Sequence, residues 1–197
     1  MALLYRPTTD WSVSICIGTF GGQEWPLRAA DAAVGAIAQN AAEVVHVHGA
    51  TLADARNRAA EEATGEWIVN LDADGDSLAP GYVDAMAGAD GNLRAPVLEL
   101  HYPDDRVVRP DLTGRDIERT NPCCIGTGIR RAMLLDCGGF PDFPAWEDWA
   151  LFLRAARRGA TITHVPGAVY QATVRPGSRN QSVPDAAHLY AAIRAWA

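Results

Sequence analysis

The chain has no lysine: all 17 of its basic residues are arginine. That excludes Schiff-base chemistry, a pyridoxal phosphate anchor and the lysine of a phosphate-binding P-loop. Any phosphate must then be held by arginine, a metal ion or backbone amides. Basic charge is itself short, with 17 basic against 24 acidic residues and a net charge of −7. This argues against a nucleic-acid partner gripped through its phosphates. Cysteine is sparse. Cys16, Cys123, Cys124 and Cys137 form no C-x-x-C pair and have no histidine at zinc spacing, so they read as reduced structural thiols. No apolar run approaches the length that crosses a bilayer, so no transmembrane segment is expected. The first residues, Met1-Ala-Leu-Leu-Tyr-Arg-Pro7, lack the basic region and apolar core of a secretion signal, which makes a cytoplasmic location the expectation. Repeats and linker-like stretches are missing too, and 197 residues suit one domain with a sizeable core.

What the chain does have is a strand-like run that ends in acid: Glu66-Trp67-Ile68-Val69-Asn70-Leu71-Asp72-Ala73-Asp74. Positions i and i+2 of a strand face the same side, so Asp72 and Asp74 converge just past the strand end. Two carboxylates that close repel unless a cation sits between them. Hard oxygen ligands suit Mg²⁺ or Mn²⁺, which keep open positions for phosphate oxygens. An isolated D-x-D is also what a solvated turn with Asx-type hydrogen bonds looks like. A calcium loop does not fit. The acidic run continues to Asp76, but Ser77 and Val83 stand where that loop needs Gly and Glu.

Periodicity supplies the context. Residues 11–19 alternate and turn at Gly18, as a core strand does. A helix from Pro26 carries the stripe Leu27, Ala30, Val34, Ile37, expected to face the core. A strand at 44–48, a helix at 52–63 ending at Thr64-Gly65 and the strand at 66–71 follow. Strand, helix, strand, helix, strand predicts an α/β fold with parallel pairing and right-handed crossovers. Ligands of such sheets bind beyond the carboxyl ends of the strands, where Thr19, His48 and Asp72 all fall. The second half is less regular. It reads as a short helix at 80–87, a strand near 93–100 and a polar surface excursion at 101–120. A helix at 131–137 precedes Gly138-Gly139-Phe140. The helix 147–158 turns Trp149, Leu151, Phe152 and Leu153 inward, leaving Arg154, Arg157 and Arg158 solvated. Strands near 161–165 and 168–173 lead to the loop 175–182, whose composition suits mobility, and to a closing helix at 184–196 with Leu189, Ile193 and Trp196 on one stripe.

In that order the motifs resemble those of a glycosyltransferase of the GT-A fold, specifically the large family 2 of nucleotide-sugar enzymes. Val13-Ser-Ile-Cys-Ile-Gly-Thr-Phe20 is similar to the family's opening strand, V-S-I-I-I-P-T-Y. Ala55-Arg-Asn57, Ala63-Thr-Gly-Glu-Trp-Ile68 and Leu71-Asp-Ala-Asp74 resemble A-R-N, A-T-G-E-Y-I and L-D-A-D. Gly138-Gly139-Phe140 with Glu147-Asp148-Trp149 resembles G-G-F…E-D-W, and Val165-Pro166…Tyr170 resembles V-P…Y. The resemblance implies a Rossmann-like three-layer sandwich around a mostly parallel central sheet. Residues 1–197 would be one domain, with a donor-binding half at about 11–76, an acceptor-side half at about 77–183 and a C-terminal helix at 184–197.

Roles follow residue by residue from the resemblance. Gly18, Thr19 and Phe20 match the strand end packed against the nucleotide, and Arg56 matches an arginine that touches it. Asp72 and Asp74 match the pair holding the metal, Mn²⁺ or Mg²⁺, and the donor diphosphate. Asp148 matches the catalytic base of inverting members, with Glu147 beside it toward the acceptor. Arg175 to Arg179 match a loop that closes over the donor. The family's strand ending in an acidic pair, whose Asp reads the base, has no counterpart. Thr19 and His48 lie too close together for it, and His48 stands at the strand end as a nucleotide contact. The expected partners are a nucleoside-diphosphate sugar and an acceptor hydroxyl on a glycan, lipid, protein or small molecule. Other readings stay open. A nucleotidyltransferase is weakened by the lack of a basic residue in Thr19-Phe-Gly-Gly-Gln-Glu-Trp25. A non-catalytic nucleotide- or sugar-binding module would explain the missing base-reading Asp. Glu147 and Asp148 also suit a first helical turn for reasons of the helix dipole alone. His46 and His48 share a strand face as a metal pair would, without an evident third ligand.

Overall fold

Period-two alternation places the strand residues as expected. Along β2 (Val13–Phe20), Val13, Ile15 and Ile17 enter one apolar layer while Cys16 enters the opposite one, so this strand is covered on both faces. The computed structural model describes residues 3–4, 12–39, 41, 43–177 and 183–197. Around β2 the order is β1 (Leu3–Leu4), then after β2 α1 (Glu24–Ile37), β3 (Glu43–Gly49), α2 (Leu52–Glu62), β4 (Trp67–Asn70), β5 (Ser77–Leu78) and α3 (Tyr82–Ala87). The second half adds β6 (Leu93–His101), β7 (Val107–Val108), β8 (Gly128–Arg130), α4 (Arg131–Asp136), α5 (Glu147–Arg157), β9 (Ile162–Thr173) and α6 (Ala186–Trp196).

One sheet runs β1-β3-β2-β4-β8-β6-β9-β5, with β7 against β6. Strands β3, β2 and β4 are mutually parallel, as are β6 and β9; the remaining pairings are antiparallel and only two residues long. Helices α1 and α3 cover one face, with Ala29, Ala36, Tyr82, Val83 and Met86 in that layer. Helices α2, α4 and α5 cover the other through Ala59, Leu134, Leu151 and Phe152. Three layers around a mostly parallel sheet result, as expected.

Helix α2 starts cleanly because Thr51 caps it, its hydroxyl accepting from the Asp54 amide at 3.2 Å. Only glycine fits under this helix at position 18. A Cβ there would come within 2.8 Å of Arg56 Cγ and 3.1 Å of the Arg56 amide. Asn57 then joins α2 to the turn before α5: its Nδ2 donates to the Phe140 carbonyl at 2.9 Å and its Oδ1 accepts from the Phe140 amide at 2.7 Å. Gly139 lies under that side chain with φ +77°, so the A-R-N and G-G-F motifs form a single contact.

Several expectations need correcting. The α1 stripe faces outward: Leu27, Val34 and Ile37 are 73%, 70% and 52% exposed, and Ala29 and Ala36 are the buried positions. An alanine-rich helix carries two apolar stripes, and the smaller residues allow the closer approach to the sheet. The two strands expected near 161–165 and 168–173 are one bulged strand, β9 (Ile162–Thr173). The arginines of α5 are not merely solvated. Arg154 bonds the Cys137 and Trp196 carbonyls and stacks over the Trp196 ring, and Arg157 pairs with Glu118 and the Arg194 carbonyl. Together they fasten α6 to α5. Leu189 and Ile193 are buried beneath α6, as expected. All four cysteines are free thiols and buried.

Candidate functional site

Three carboxylates gather where β4 ends. Oxygens of Asp72, Asp74 and Asp76 all lie within 4.8 Å of one another, and each residue is half-buried. Aspartate 76 belongs to the cluster as closely as the two expected members. Its Oδ2 accepts from the Tyr170 hydroxyl at 2.8 Å and its Oδ1 from the Thr173 amide at 2.8 Å. That hydroxyl also accepts from the Asp72 amide at 3.2 Å, so the end of β9 frames the acidic turn. Gly75 makes the turn with φ +106°. Burial, then the charges of Asp72 and Asp74, push the Asp76 carboxyl up to about 8. Burial and Asp72 raise Asp74 as well. Such a group is short of positive charge, and three hard oxygen donors at this spacing fit a small divalent cation.

Arginine 56 is turned inward, between two carboxylates. Its side chain is 3% exposed, Nη2 donates to Asp72 Oδ1 at 2.6 Å and Nη1 donates to Glu147 Oε1 at 2.6 Å. Burial opposes its charge, but Asp72 and Glu147 outweigh that and hold its pKa above the ordinary value. Arg56, expected as a nucleotide contact, bridges the carboxylate turn and the start of α5. Glu147 is correspondingly buried and turned toward Arg56. Gly18 lies beneath the same arginine and serves that packing.

Asp148 follows on the first turn of α5. Its Oδ2 accepts from Asn121 Nδ2 at 3.0 Å and its Oδ1 from the Trp149 amide at 2.8 Å. Burial first, then the charge of Glu147, push its carboxyl up to about 6. A carboxylate so tuned is ionised near neutrality yet basic enough to take a proton. Asn121 was not singled out from the sequence; it lies 27 residues from Asp148, in a stretch with no motif.

At the ends of β2 and β3 the Thr19 hydroxyl lies 2.8 Å from His46 Nε2 and 3.0 Å from His48 Nδ1. The two rings therefore share a hydroxyl, which replaces the metal pair as their common partner. Among the described residues the aspartate triplet is the sole cluster of three metal-ligating groups. His48 is exposed and Phe20 is 38% exposed. Phe20 lines a cleft of about 380 Å³ with Thr51, Leu52 and Phe143. A second cleft of about 410 Å³ lies beside the carboxylates, lined by Arg28, Asp31, Gly75, Asp76 and Arg175. Arg175 Nη2 would lie 3.0 Å from a Cβ at position 75, which sets it against the acidic turn. Arg179 lies outside the described residues. No strand intervenes between β3 and α2: Gly49 leads directly to the Thr51 cap, consistent with the absent acidic-pair strand.

Neither a protein-family profile nor a curated protein sequence matches this chain. Solved structures do. TarS 1-349 of S. aureus in complex with UDP-GlcNAc is similar at TM-score 0.60 and 16% identity, over 92% of this chain and 64% of that one. A second structure of S. aureus TarS is similar at 0.61 and 19%, over 84% and 37%. GalNAc-T7 with UDP, GalNAc and Mn²⁺ is similar at 0.57 and 14%, over 86% and 45%. This chain thus spans less than two thirds of the length of each. The likeness establishes the GT-A fold of glycosyltransferases. No helix among the described residues is long and apolar enough to cross a membrane.

Proposed function

We propose that this chain is a metal-dependent glycosyltransferase that moves a sugar from a nucleoside-diphosphate sugar to an acceptor hydroxyl with inversion. The observation that carries the reading is the aspartate triplet at the end of β4, in a fold whose similar structures were solved with UDP-GlcNAc and with UDP and Mn²⁺. Asp72, Asp74 and Asp76 would hold the ion, and a bound Mn²⁺ or Mg²⁺ would supply Lewis-acid neutralisation of the leaving diphosphate. Arg56 fixes Asp72 in place, its own geometry locked by Glu147. Arg175 flanks the diphosphate and adds a charge-assisted contact. Phe20, Thr19 and His48 line the nucleotide side.

Asp148 takes the proton of the acceptor hydroxyl. Asn121 and the Trp149 amide each bond one oxygen of its carboxylate and hold it in one orientation, so the remaining lone pairs would meet the acceptor without side-chain reorganisation. Attack from the side opposite the diphosphate inverts the anomeric centre in one displacement. The test is UDP release from a panel of UDP-sugars by the purified protein with Mn²⁺. Release should stop in EDTA and return with excess Mn²⁺; undiminished turnover in EDTA contradicts the reading.

A further inference from the structure

A second polar constellation lies at the same sheet edge, outside the machinery above. Glu99 on β6 is 7% exposed, yet it is fully engaged. Its Oε1 accepts from Gln171 Nε2 at 3.1 Å and pairs with His101 Nε2 at 2.7 Å. Its Oε2 accepts from Arg109 Nε at 2.7 Å and from Arg109 Nη2 at 2.6 Å. The hydrogen bonds of Arg109 and Gln171 hold the Glu99 carboxyl down at about 2. It is ionised, accepts only, and so fixes the proton of the histidine pair on Nε2. In the neutral ring the opposite nitrogen, Nδ1, then carries a lone pair directed away from Glu99. Among the described residues neither Nδ1 of His101 nor Nη1 of Arg109 has a recorded partner, and these side chains are 39% and 64% exposed.

Placement matters as much as chemistry. Leu93 and Ala95, odd-numbered on β6, sit in the apolar layer of Leu151 and Phe152 of α5. Glu99 and His101 continue that odd series and face the α5 side, the side that carries Asp148. His101 pairs in register with Thr173, whose amide binds Asp76, and its carbonyl accepts from the Val174 amide at 2.8 Å. The constellation thus adjoins the acidic turn through β9.

We propose that Glu99, His101, Arg109 and Gln171 form a carbohydrate-hydroxyl subsite that docks the acceptor. The buried carboxylate is the organiser. It presents one acceptor (His101 Nδ1) and one donor (Arg109 Nη1) from side chains whose freedom it has already removed. A vicinal diol matches this pair, because one hydroxyl donates and its neighbour accepts; a fully ionised phosphate has no hydrogen to give Nδ1. Glu99 cancels the charge of Arg109, which further favours a neutral polyol over an anion. The proposal rests on the sugar-transfer reading of the neighbouring site.

Protein with ¹⁵N-labelled histidine, titrated with methyl glycosides of glucose, galactose and N-acetylglucosamine, tests it by NMR. The His101 ring signals, assigned by their loss in His101→Gln, should move with at least one glycoside. Arg109→Gln should weaken that response about tenfold, the loss of one hydrogen bond to a charged donor. A His101 signal that none of the three moves overturns the subsite, as does an unchanged response in Arg109→Gln of equal melting temperature. UDP-GlcNAc with Mg²⁺, followed by calorimetry on the same protein, separates the two claims. Nucleotide binding with a silent His101 sinks the subsite alone; a responsive His101 without nucleotide binding leaves a glycoside-binding site but overturns its role as the acceptor dock, together with sugar transfer.

Discussion

The two halves of the sheet bring their functional groups together by different means. In β2, β3 and β4 the strands are parallel, so their carboxyl ends fall at one edge, and chain direction alone places Thr19, His48 and Asp72 along it. Beyond β4 the antiparallel β8 intervenes, and the groups that meet come from remote segments: Asn121 with Asp148, Glu99 with Gln171 across 72 residues. The first half is a scaffold whose chemistry repeats its topology. In the second, the polar contacts themselves decide which side chains meet. Arg56 spans the two, bonded to Asp72 on one side and Glu147 on the other.

Breaking that span should have the largest consequence. Arg56→Leu removes the guanidinium that bonds both Asp72 and the buried Glu147, and removing one partner of a buried pair costs about 3–5 kcal/mol. Urea denaturation reads it, and a loss under about 1 kcal/mol would show the halves to be independent. Asp148→Asn sharpens the contrast from the acceptor side. Turnover should fall roughly 10²–10⁴-fold with UDP-sugar binding intact. The wild-type rate should rise through pH about 6 and level off above it, since the base must be unprotonated. Asn121→Ala removes a hydrogen bond to the ionised form and should move that rise to higher pH; a profile displaced downward contradicts the assignment.

Metal removal probes the donor side through stability. The Asp76 carboxyl, raised to about 8 in the folded chain, contributes stability fully below its unfolded value near 4, and loses it as pH rises toward about 8. A bound cation relieves the repulsion, so the melting-temperature gain from Mn²⁺ over EDTA should widen between pH 5 and pH 8. A gain that is flat with pH argues that the triplet binds no metal. The smallest effect belongs to Asn57→Ala. Losing its two bonds to Phe140 should cost about 1–3 kcal/mol and loosen the α2–α5 contact without abolishing donor binding.

The sequence displayed the scaffold well because strand alternation and helix caps are local signals. The helix ending at Thr64-Gly65, the acidic strand end and the inward Trp149, Leu151, Phe152 and Leu153 were all readable. Helix α1 was read with its stripe reversed, since Leu27, Val34 and Ile37 look more hydrophobic than the alanines that pack. The site was partly legible. Asp72, Asp74 and Asp148 were marked by their motifs, whereas Asp76 was weighed only against a calcium loop. Its membership comes from Tyr170 and Thr173, more than ninety residues away. The Glu99 constellation was harder to read: Glu99 and His101 share β6, but Arg109 lies beyond the β6–β7 turn and Gln171 on β9, 72 residues from Glu99, so no single motif gathers them.

Anomalous diffraction from a crystal soaked in Mn²⁺ and UDP is the most direct measurement of the central claim. The account predicts one manganese peak touching carboxylate oxygens of Asp72, Asp74 and Asp76, with the diphosphate on its open side. A well-ordered UDP with no manganese at those oxygens, or manganese bound elsewhere, would contradict it.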